Sequence, residues 1–372
     1  MKLFYVVNEA NFFVSHRLSL GLRALREGHD VTVVTAPHTG EDQLPQHGFN
    51  HVSIPLSRSG FNLWQERKSY VALKRLYAEQ KPDLVHHVTI KPVIYGSLAA
   101  TESGVKAVVN AVPGMGFVFS REGPLSGLGR WSVNLLYRWA FKHPQMRVIF
   151  QNTEDMQAFL GHAIVSREQA VLIRGSGVDL DVFAGPRVEN EQPVFLLAAR
   201  MLKDKGVYEF AQAAARVLQR HQDWQFLVAG GEDLGNPSSL SDAELQRLET
   251  EYGVRWLGHV DDMPSLMKRA DVVCLPTYYR EGLPKCLLEA SAAGCAMIAS
   301  DIAGCREAVT PGVTGLLVPP KEVPPLARAM ITLGEDADLR KRLGESARKK
   351  AQAIFGVDDV VEHTFRVYEE VT

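Results

Sequence analysis

The chain lacks the long apolar runs of a membrane-spanning protein. No stretch of its 372 residues reaches the roughly 18 uninterrupted apolar positions that a spanning helix needs. The apolar stretch Leu3–Val7 is too short for the core of a signal peptide. We therefore expect a cytoplasmic protein whose contact with any membrane is peripheral.

Cysteine is scarce as well. The four cysteines lie in one C-terminal segment without a Cys-x-x-Cys pair: Cys274, Cys286, Cys295 and Cys305. Disulfide frameworks and metal sites usually show closer pairing, and no zinc-type spacing occurs elsewhere. We expect reduced, mostly buried cysteines and no metal site.

Two further absences narrow the class of function. No Gly-x-Gly-x-x-Gly follows the first predicted strand, which disfavours a nicotinamide oxidoreductase. The formal net charge is only −2, and no nucleic-acid partner is expected. The first half of the chain is slightly basic and the second slightly acidic. This asymmetry fits an anionic partner or a phospholipid surface but is too small to identify one.

What the sequence does contain is an alternation of short apolar strands and amphipathic helices. In the first half the predicted strands are Lys2–Val7, Asp30–Thr35, His51–Ile54, Leu84–His87, Ala107–Val112 and Arg147–Phe150, and the helices are Phe12–Gly28, Trp64–Gln80, Ile94–Glu102 and Arg130–Phe141. A strand, a helix and a second strand follow one another between Lys2 and Thr35, which is a βαβ unit and predicts a parallel sheet.

The same alternation restarts after a turn-rich region. The second set of predicted strands is Val194–Ala198, Gln225–Val228, Arg255–Leu257, Val272–Leu275, Met297–Ala299 and Gly315–Val318, and its helices include Gly206–His221, Met263–Ala270 and Val360–Tyr368. At this length two domains are the default, and we place their boundary at about 185–193. We predict an α/β protein with Rossmann-like, doubly wound parallel-sheet domains at 1–187 and 188–355, facing each other across a cleft. A helix in 356–372 could return to the first domain.

The most informative stretch begins after the predicted strand Val272–Leu275. Glu281 stands in a loop that continues as Gly282-Leu283-Pro284-Lys285, and Glu289 stands in the apolar helical run that follows. Ligands of open α/β sheets bind where strand ends meet helix N-termini, and free N–H groups there accept anions. Carboxylates suit the hydroxyl-rich parts of a ligand whose phosphates are held nearby. The alternative is a capping Glu281 and a surface Glu289, but a buried carboxylate needs partners.

A second stretch supplies positive charge. Arg200, Lys203 and Lys205 follow the predicted strand Val194–Ala198 and precede Gly206, which opens a helix. This arrangement suits a diphosphate, although a solvated basic loop is an open alternative. At the end of the next strand, Gly231 could let the backbone approach a ligand, or could simply form a tight turn.

These residues resemble the retaining glycosyltransferases of the family-4 type, which have the GT-B fold. The resemblance covers nearly the whole chain and rests on Arg200…Lys205-Gly206, Trp256-Leu257-Gly258, Leu275-Pro276…Glu281-Gly282-Leu283-Pro284…Glu289-Ala290, and Pro319. The first half resembles a narrower bacterial group that adds a hexose or N-acetylhexosamine to undecaprenyl-diphosphate glycans. The segments that carry this second likeness are residues 86–96, Gly114–Phe119 and Ile149–Asn152.

The resemblance implies roles for individual residues. Arg200 and Lys205 would neutralise the donor diphosphate, and Glu281 would bind hydroxyls of the donor sugar. Glu289 would hold the ribose of a nucleotide sugar, expected to be UDP-linked, with no other cofactor. Backbone N–H groups from Gly282 to Lys285 would add hydrogen bonds to the sugar or the phosphate.

On the first domain the resemblance is less complete. Many relatives carry His-x-His where this chain has His86-His87-Val88, so contact with the donor sugar passes to His87 or Thr89, or is absent. Relatives often have glycines in the first loop, where this chain has Asn8-Glu9-Ala10-Asn11-Phe12. The acceptor-side candidates are Asn8, His16, Thr89, Lys91 and Gly116.

Two segments bear on metal and membrane binding. Asp179-Leu180-Asp181 looks like the Asp-x-Asp metal motif of the other large glycosyltransferase fold, but a cap or turn at the domain junction explains it. Phe61–Leu76 combines aromatic and basic side chains, as does Gly114–Phe141. Such helices can lie at the surface of a bilayer or pack as ordinary amphipathic helices. With a polyprenyl-diphosphate-linked acceptor, the first role would place the protein at the inner face of the cell membrane.

Overall fold

The computed structural model describes residues 1–56, 62–114, 127–233 and 235–372, without the side chains of 127–132. The chain forms two compact units. The N-terminal unit comprises Met1–Ser176 and Asp358–Thr372, and the C-terminal unit comprises Gly177–Val357.

The N-terminal unit alternates strands with helices. Its strands are β1 (Lys2–Val6), β2 (Asp30–Thr35), β3 (Asn50–Ser53), β4 (Leu84–Val88), β5 (Ala107–Val112), β6 (Met146–Phe150) and β7 (Ala170–Leu172). Its helices up to Gly161 are α1 (Ala10–Arg26), α2 (Gln43–Gln46), α3 (Leu63–Gln80), α4 (Ser97–Ser103), α5 (Gly127–Ala140) and α6 (Thr153–Gly161), and a π-helical turn (Pro92–Gly96) precedes α4.

Within the described residues these strands form one parallel sheet in the order β3-β2-β1-β4-β5-β6-β7. The strand order reverses between β1 and β4, where Leu3 pairs with Leu84 and Val6 with His87. The central strands are buried along their length because helices cover the sheet. A reversal of this kind opens a crevice at the carboxyl ends of the two strands. Residues that follow β1 and β4 are therefore neighbours at a natural ligand-binding position.

The C-terminal unit repeats the plan. Its strands are β8 (Val194–Ala198), β9 (Gln225–Ala229), β10 (Arg255–Trp256), β11 (Val272–Leu275), β12 (Ala296–Ser300) and β13 (Gly315–Val318). Its helices are α7 (Val207–Leu218), α8 (Asp242–Tyr252), α9 (Met263–Arg269), α10 (Lys285–Ala293), α11 (Ala303–Ala308), α12 (Val323–Glu335) and α13 (Ala337–Ile354). The parallel sheet has the order β10-β9-β8-β11-β12-β13 and reverses between β8 and β11.

The boundary between the units lies earlier than the predicted 185–193. Residues from Gly177 onward belong to the C-terminal unit because they are bonded to it. The Val178 N–H donates to Phe355 O (2.9 Å). The Arg187 guanidinium donates to Ala293 O (3.2 Å) and also to Ala270 O. The polar, turn-rich composition of this segment indicates a connection between two units, but it does not reveal these hydrogen bonds.

The last helix, α14 (Val357–Val371), packs on the N-terminal unit. The Tyr368 hydroxyl lies 2.6 Å from His86 Nδ1 and donates to the Tyr5 hydroxyl at 3.3 Å. Nearer the end of the helix, Arg147 and Glu370 form an ion pair of 3.1 Å. Among the described helices, including α14, none is both long and apolar enough to cross a membrane.

Candidate active site

The crevice of the C-terminal unit collects most of the predicted donor-site residues. Arg200 and Lys205 lie after β8, and Glu281 lies after β11, on the two strands that flank the reversal. Glu289 is on α10, which begins four residues after Glu281. The sequence therefore assigned these groups to one edge of one sheet, and the structure brings them together there.

Lys205 and Glu281 form the central pair. Lys205 Nζ lies 2.7 Å from Glu281 Oε1, and the two side chains are only 10% and 16% exposed. An ion pair that is this shielded is screened little by solvent, and truncating either partner would leave a costly uncompensated charge. Both residues follow strands that flank the reversal, so a ligand that binds in the crevice could replace part of this contact.

The turn that carries Lys205 is held by a glycine. A 3₁₀ turn at Lys203–Lys205 ends at Gly206, whose φ is +77°. A Cβ atom at Gly206 would collide with the carbonyl oxygen of Pro276. Only glycine combines this backbone conformation with so close an approach to the loop that follows β11.

Glu289 is anchored by its neighbour on the helix. Lys285 Nζ lies 3.5 Å from Glu289 Oε1, and the glutamate side chain is 14% exposed. Burial raises the pKa of Glu289, and the nearby Lys285 partly offsets this rise. A largely desolvated carboxylate is well suited to accept hydrogen bonds from vicinal hydroxyls such as those of a ribose.

The start of α10 offers backbone donors to a ligand. Pro284 is the N-cap residue and, as expected for proline, provides no side-chain cap. The positive end of the helix therefore lies beside Lys205 and Glu281 without a capping oxygen. Leu283 is buried in the core, so its contribution would come from its main chain. Gly282 lies against α11, because a Cβ at Gly304 would collide with its carbonyl oxygen.

Arg200 is placed by a carboxylate that sequence reasoning did not single out. Asp233 Oδ2 accepts from Arg200 Nη1 at 2.5 Å and from Asn236 Nδ2 at 3.1 Å. The aspartate side chain is 8% exposed, whereas that of Arg200 is 53% exposed. Asp233 thus orients a guanidinium that remains open to a ligand. Gly231 lies in the same loop, and its N-terminal neighbour Gly230 packs on Ala199 with a φ of +146°.

Asp204 is a second group that the sequence analysis missed. Burial raises the pKa of its carboxyl, while the positive charge of Lys205 opposes the rise. Its Oδ1 is buried and has no hydrogen-bond partner. Its carbonyl oxygen accepts from Thr277 Oγ1 and from the N–H of Tyr278, both at 2.9 Å. The Lys-Asp-Lys sequence shows that Asp204 is a charged residue between two cations. It does not show that the Asp204 carbonyl oxygen accepts hydrogen bonds from the loop after β11.

On the N-terminal unit, the structure places His87 in the core. It is fully buried, with Nε2 2.9 Å from the Tyr77 hydroxyl and Nδ1 2.8 Å from Asn110 Oδ1. Both ring nitrogens are therefore occupied, and a Cβ at Gly96 would collide with the ring. Burial lowers the pKa of His87 to about 4. This geometry contradicts the prediction that His87 contacts the donor sugar, and it assigns the residue a structural role.

Thr89 and Asn8 lie at the crevice of this unit. They follow β4 and β1, the strands between which the sheet order reverses. Thr89 has a φ of +76°, which is strained for a β-branched residue. Thr89 Oγ1 and Asn8 Oδ1 are both buried and lack a hydrogen-bond partner. Strain and unsatisfied polar atoms tend to occur together at functional sites.

The other acceptor-side candidates are placed differently. Lys91 Nζ pairs with Glu66 Oε1 at 2.6 Å, in a contact that is 12% and 6% exposed and ties the π-helical turn to α3. His16 stacks on Phe12, with ring centroids 4.2 Å apart, on α1. Gly116 lies outside the described residues.

The Asp-x-Asp sequence at Asp179 serves a turn. Asp179 Oδ1 accepts from the N–H groups of Asp181 (3.0 Å) and Val182 (3.1 Å). In the described part of the chain no group of three or more His, Cys, Asp or Glu side chains is arranged to hold a metal ion.

Comparison with known proteins agrees with the fold described above. Residues 2–152 match the family model described as Glycosyl transferase 4-like, and residues 181–350 match Glycosyl transferases group 1. Structures similar to this one include a glycosyltransferase from Rickettsia africae (TM-score 0.79, 18% identity, 100% of this chain and 98% of that one). Anabaena HepE in complex with UDP is equally similar (TM-score 0.79, 18% identity, 99% and 100%). The predicted GT-B fold is confirmed.

Two curated relatives are similar in sequence over most of the chain. One is the N,N'-diacetylbacillosaminyl-diphospho-undecaprenol alpha-1,3-N-acetylgalactosaminyltransferase of Campylobacter jejuni, 28% identical over 94% of this chain and 94% of its own length. The other is the UDP-Gal:alpha-D-GlcNAc-diphosphoundecaprenol alpha-1,3-galactosyltransferase of Escherichia coli, 27% identical over 76% and 74%.

Proposed function

The two parts of the chain belong to the glycosyl transferase 4-like and glycosyl transferases group 1 families, and we propose a specific function for this glycosyltransferase. It transfers a hexose or N-acetylhexosamine from a UDP-sugar to a polyprenyl-diphosphate-linked saccharide. The transfer retains the anomeric configuration of the sugar. The observation that carries this proposal is the shielded Lys205–Glu281 pair beside the N-terminus of α10. It combines a carboxylate for sugar hydroxyls with a cation for the departing diphosphate.

The chemistry at this site is electrostatic. As the bond between sugar and diphosphate breaks, negative charge builds on the leaving group. Lys205, the open guanidinium of Arg200 and the N-terminus of α10 are positioned to stabilise that charge without reorganisation. Glu281 holds the sugar and Glu289 the ribose, so that the bond to be broken lies between them. We propose that these groups act without a metal ion.

The donor and the acceptor are proposed from the relatives and from the chemistry of each unit. The name of the E. coli relative specifies a UDP-sugar, and the names of both relatives specify acceptors built on undecaprenol diphosphate. In the N-terminal unit, Thr89 and Asn8 follow the two strands between which the sheet order reverses, and Thr89 Oγ1 and Asn8 Oδ1 are buried without a hydrogen-bond partner. A hydroxyl and a carboxamide recognise hydroxyl and acetamido groups, and we assign them to the acceptor saccharide.

A lipid-linked acceptor requires the protein to contact a membrane, and the first turns of α3 offer a suitable contact surface. Leu63 and Trp64 in its first turn are 83% and 72% exposed, and Arg67 and Lys68 follow them at exposed positions. Exposed aromatic and aliphatic side chains beside cations favour binding to an anionic bilayer. We propose that this part of α3 contacts the inner face of the cell membrane.

Replacement of Glu281 tests the catalytic proposal. Glu281→Ala should reduce transfer by at least about 100-fold, because the sugar and the cation both lose a partner, whereas UDP affinity should remain close to that of the wild type. Glu345→Gln, on the exposed face of α13, is the matched control and should retain activity. Titration with UDP and transfer from UDP-galactose, UDP-glucose and their N-acetylated forms are the two measurements.

The same assays separate the alternatives. A wild-type protein that binds UDP but transfers from no UDP-sugar would be a non-catalytic binding protein. Transfer to soluble saccharides alone, with no use of undecaprenyl-diphosphate acceptors, would make it an enzyme of soluble acceptors.

Co-sedimentation with anionic phospholipid vesicles tests the contact with the membrane. The double variant Leu63→Ser/Trp64→Ser should bind these vesicles less than the wild type, because the apolar side chains that enter the bilayer are lost. Val313→Ser, at an exposed apolar position of the C-terminal unit (52%), is the control and should bind like the wild type. Equal binding by all three proteins would exclude this part of α3 as the membrane contact.

A further inference from the structure

The loop that carries Glu281 is fastened to the turn that carries Lys205 through one carbonyl oxygen. Asp204 O accepts from Thr277 Oγ1 at 2.9 Å, from the Tyr278 N–H at 2.9 Å and from the Tyr279 N–H at 3.3 Å. The donors belong to the loop after β11, and the acceptor belongs to the loop after β8. Three donors on one acceptor make this the point at which the two loops are held in register.

Thr277 takes part in this arrangement twice. Its hydroxyl donates to Asp204 O and accepts from the Tyr279 N–H at 3.2 Å. The side chain is fully buried, so no solvent is in place to substitute for either contact. The next turn of the chain is set by the Glu281 N–H, which donates to Tyr279 O at 2.9 Å. A continuous series of hydrogen bonds therefore runs from the Thr277 hydroxyl to the backbone of Glu281.

The consequence reaches the central ion pair. Lys205 directly follows Asp204, and Glu281 is two residues from Tyr279, so the same carbonyl fixes the backbone on both sides of the 2.7 Å contact. Gly206 adds a close backbone approach to Pro276 on the far side of the turn. The separation of the two charged groups is therefore determined by backbone contacts, and the side-chain attraction acts within that frame.

We infer that Thr277 is a positioning residue for the transfer reaction, which keeps Glu281 and Lys205 at the separation needed to hold a sugar and its departing diphosphate together. This inference rests on the proposed function and extends it to a residue that contacts neither ligand. Its hydroxyl acts through the backbone of the loop after β11.

The test compares isosteric and conservative replacements. Thr277→Val keeps the shape but removes both hydrogen bonds, and it should lower kcat for transfer from UDP-galactose or UDP-N-acetylgalactosamine by about 10- to 100-fold, the effect expected of a misplacement of about 1 Å. UDP affinity should change little, because the residues proposed to bind the ribose and the diphosphate lie on α10 and in the loop after β8. Thr277→Ser restores the hydroxyl and should recover most of the activity.

Thr314 supplies the matched control. It is also a buried threonine of the C-terminal unit (2% exposed), and its Oγ1 accepts from the Thr310 N–H at 2.8 Å. It precedes β13 and therefore lies at the opposite edge of the sheet. Thr314→Val should lose comparable stability but keep its kcat. Equal kcat values for Thr277→Val and Thr314→Val would overturn the inference.

Amide hydrogen exchange gives a readout that does not depend on activity. In Thr277→Val, amides of the segment 277–281 should exchange faster than in the wild type, and Thr277→Ser should reverse the change. Unchanged exchange in Thr277→Val would refute the positioning role even if transfer fell. If the wild type transfers no sugar, the proposed function fails, but the exchange experiment still decides whether Thr277 holds the loop.

Discussion

Acidification should destabilise the N-terminal unit through His87, and this prediction distinguishes a structural histidine from a catalytic one. His87 is enclosed between Tyr77 and Asn110, and burial lowers its pKa from 6.5 to about 4. The histidine stays neutral in the folded protein at a pH where the unfolded chain takes up a proton. The stability it contributes is complete above about pH 6.5 and is lost as the pH falls towards 4.

The size of the effect follows from the two pKa values. A shift of one pKa unit corresponds to about 1.4 kcal/mol, so the full effect of His87 is about 3 kcal/mol. At pH 5 the linkage relation gives a loss of about 2 kcal/mol relative to pH 7.5, since protonation of the unfolded state is nearly complete and that of the folded state has barely begun.

The assay compares the wild type with His87→Gln. Amide exchange of β4, converted to a free energy of opening at pH 7.5 and at pH 5, should show a loss in the wild type that exceeds the loss in the variant by about 2 kcal/mol. The comparison within each protein removes the stability that the substitution itself costs. Equal losses in both proteins would refute the argument. So would a His87→Gln protein that is as stable as the wild type at pH 7.5 but has lost transfer, because that result would give the imidazole a direct role.

Three other predictions concern single features of the two crevices. Gly206→Ala should destabilise the C-terminal unit more than Gly312→Ala, because both have a positive φ but only a Cβ at Gly206 meets backbone; thermal unfolding of the two variants measures the difference, and equal midpoints would contradict it. Thr89→Gly should stabilise the N-terminal unit by about 1 kcal/mol by relieving a φ of +76°, yet lower transfer by removing the hydroxyl; a gain in both properties would exclude Thr89 from the acceptor site. Transfer should continue unchanged in EDTA, and a loss that Mg²⁺ or Mn²⁺ restores would show that the cations of the chain do not suffice.

The regular part of the fold was predictable because parallel strands covered on both faces have an unmistakable composition. Apart from Asp30 and Asn110, the residues of Asp30–Thr35, Ala107–Val112 and Val272–Leu275 are all apolar or β-branched, and the structure has these strands with the same bounds. The sequence analysis did not predict helix α8, because most of its residues are polar and the helix is too short to show a clear helical spacing of apolar residues. Its capping box, in which Ser241 and Glu244 exchange hydrogen bonds, could have revealed it.

The candidate site was predictable to the extent that it depends on strand ends. Because the carboxyl ends of parallel strands share one edge, residues after β8 and β11 had to meet, as Lys205 and Glu281 do. The orientation of a side chain within a strand depends on the helices packed around it. From its position near the end of β4, His87 was therefore predicted to have a ring accessible to a ligand. In the structure Tyr77 of α3 and Asn110 of β5 enclose the ring. Likewise, no pattern of residue types indicates that the carbonyl oxygen of Asp204 gathers three donors.

The return of α14 to the N-terminal unit has a consequence for how the protein is made. Tyr5 and His86 on the central strands are covered by Tyr368, which the ribosome adds only after the whole C-terminal unit. The first part of the chain to be synthesised is therefore the last to be completed as a folded body. Until α14 has been made and has docked, Tyr5 and His86 lack the cover that Tyr368 provides. A fragment that ends at Ser176 would lack α14, so Tyr5 and His86 would stay uncovered. We expect chaperones to bind such a fragment as an incompletely folded protein.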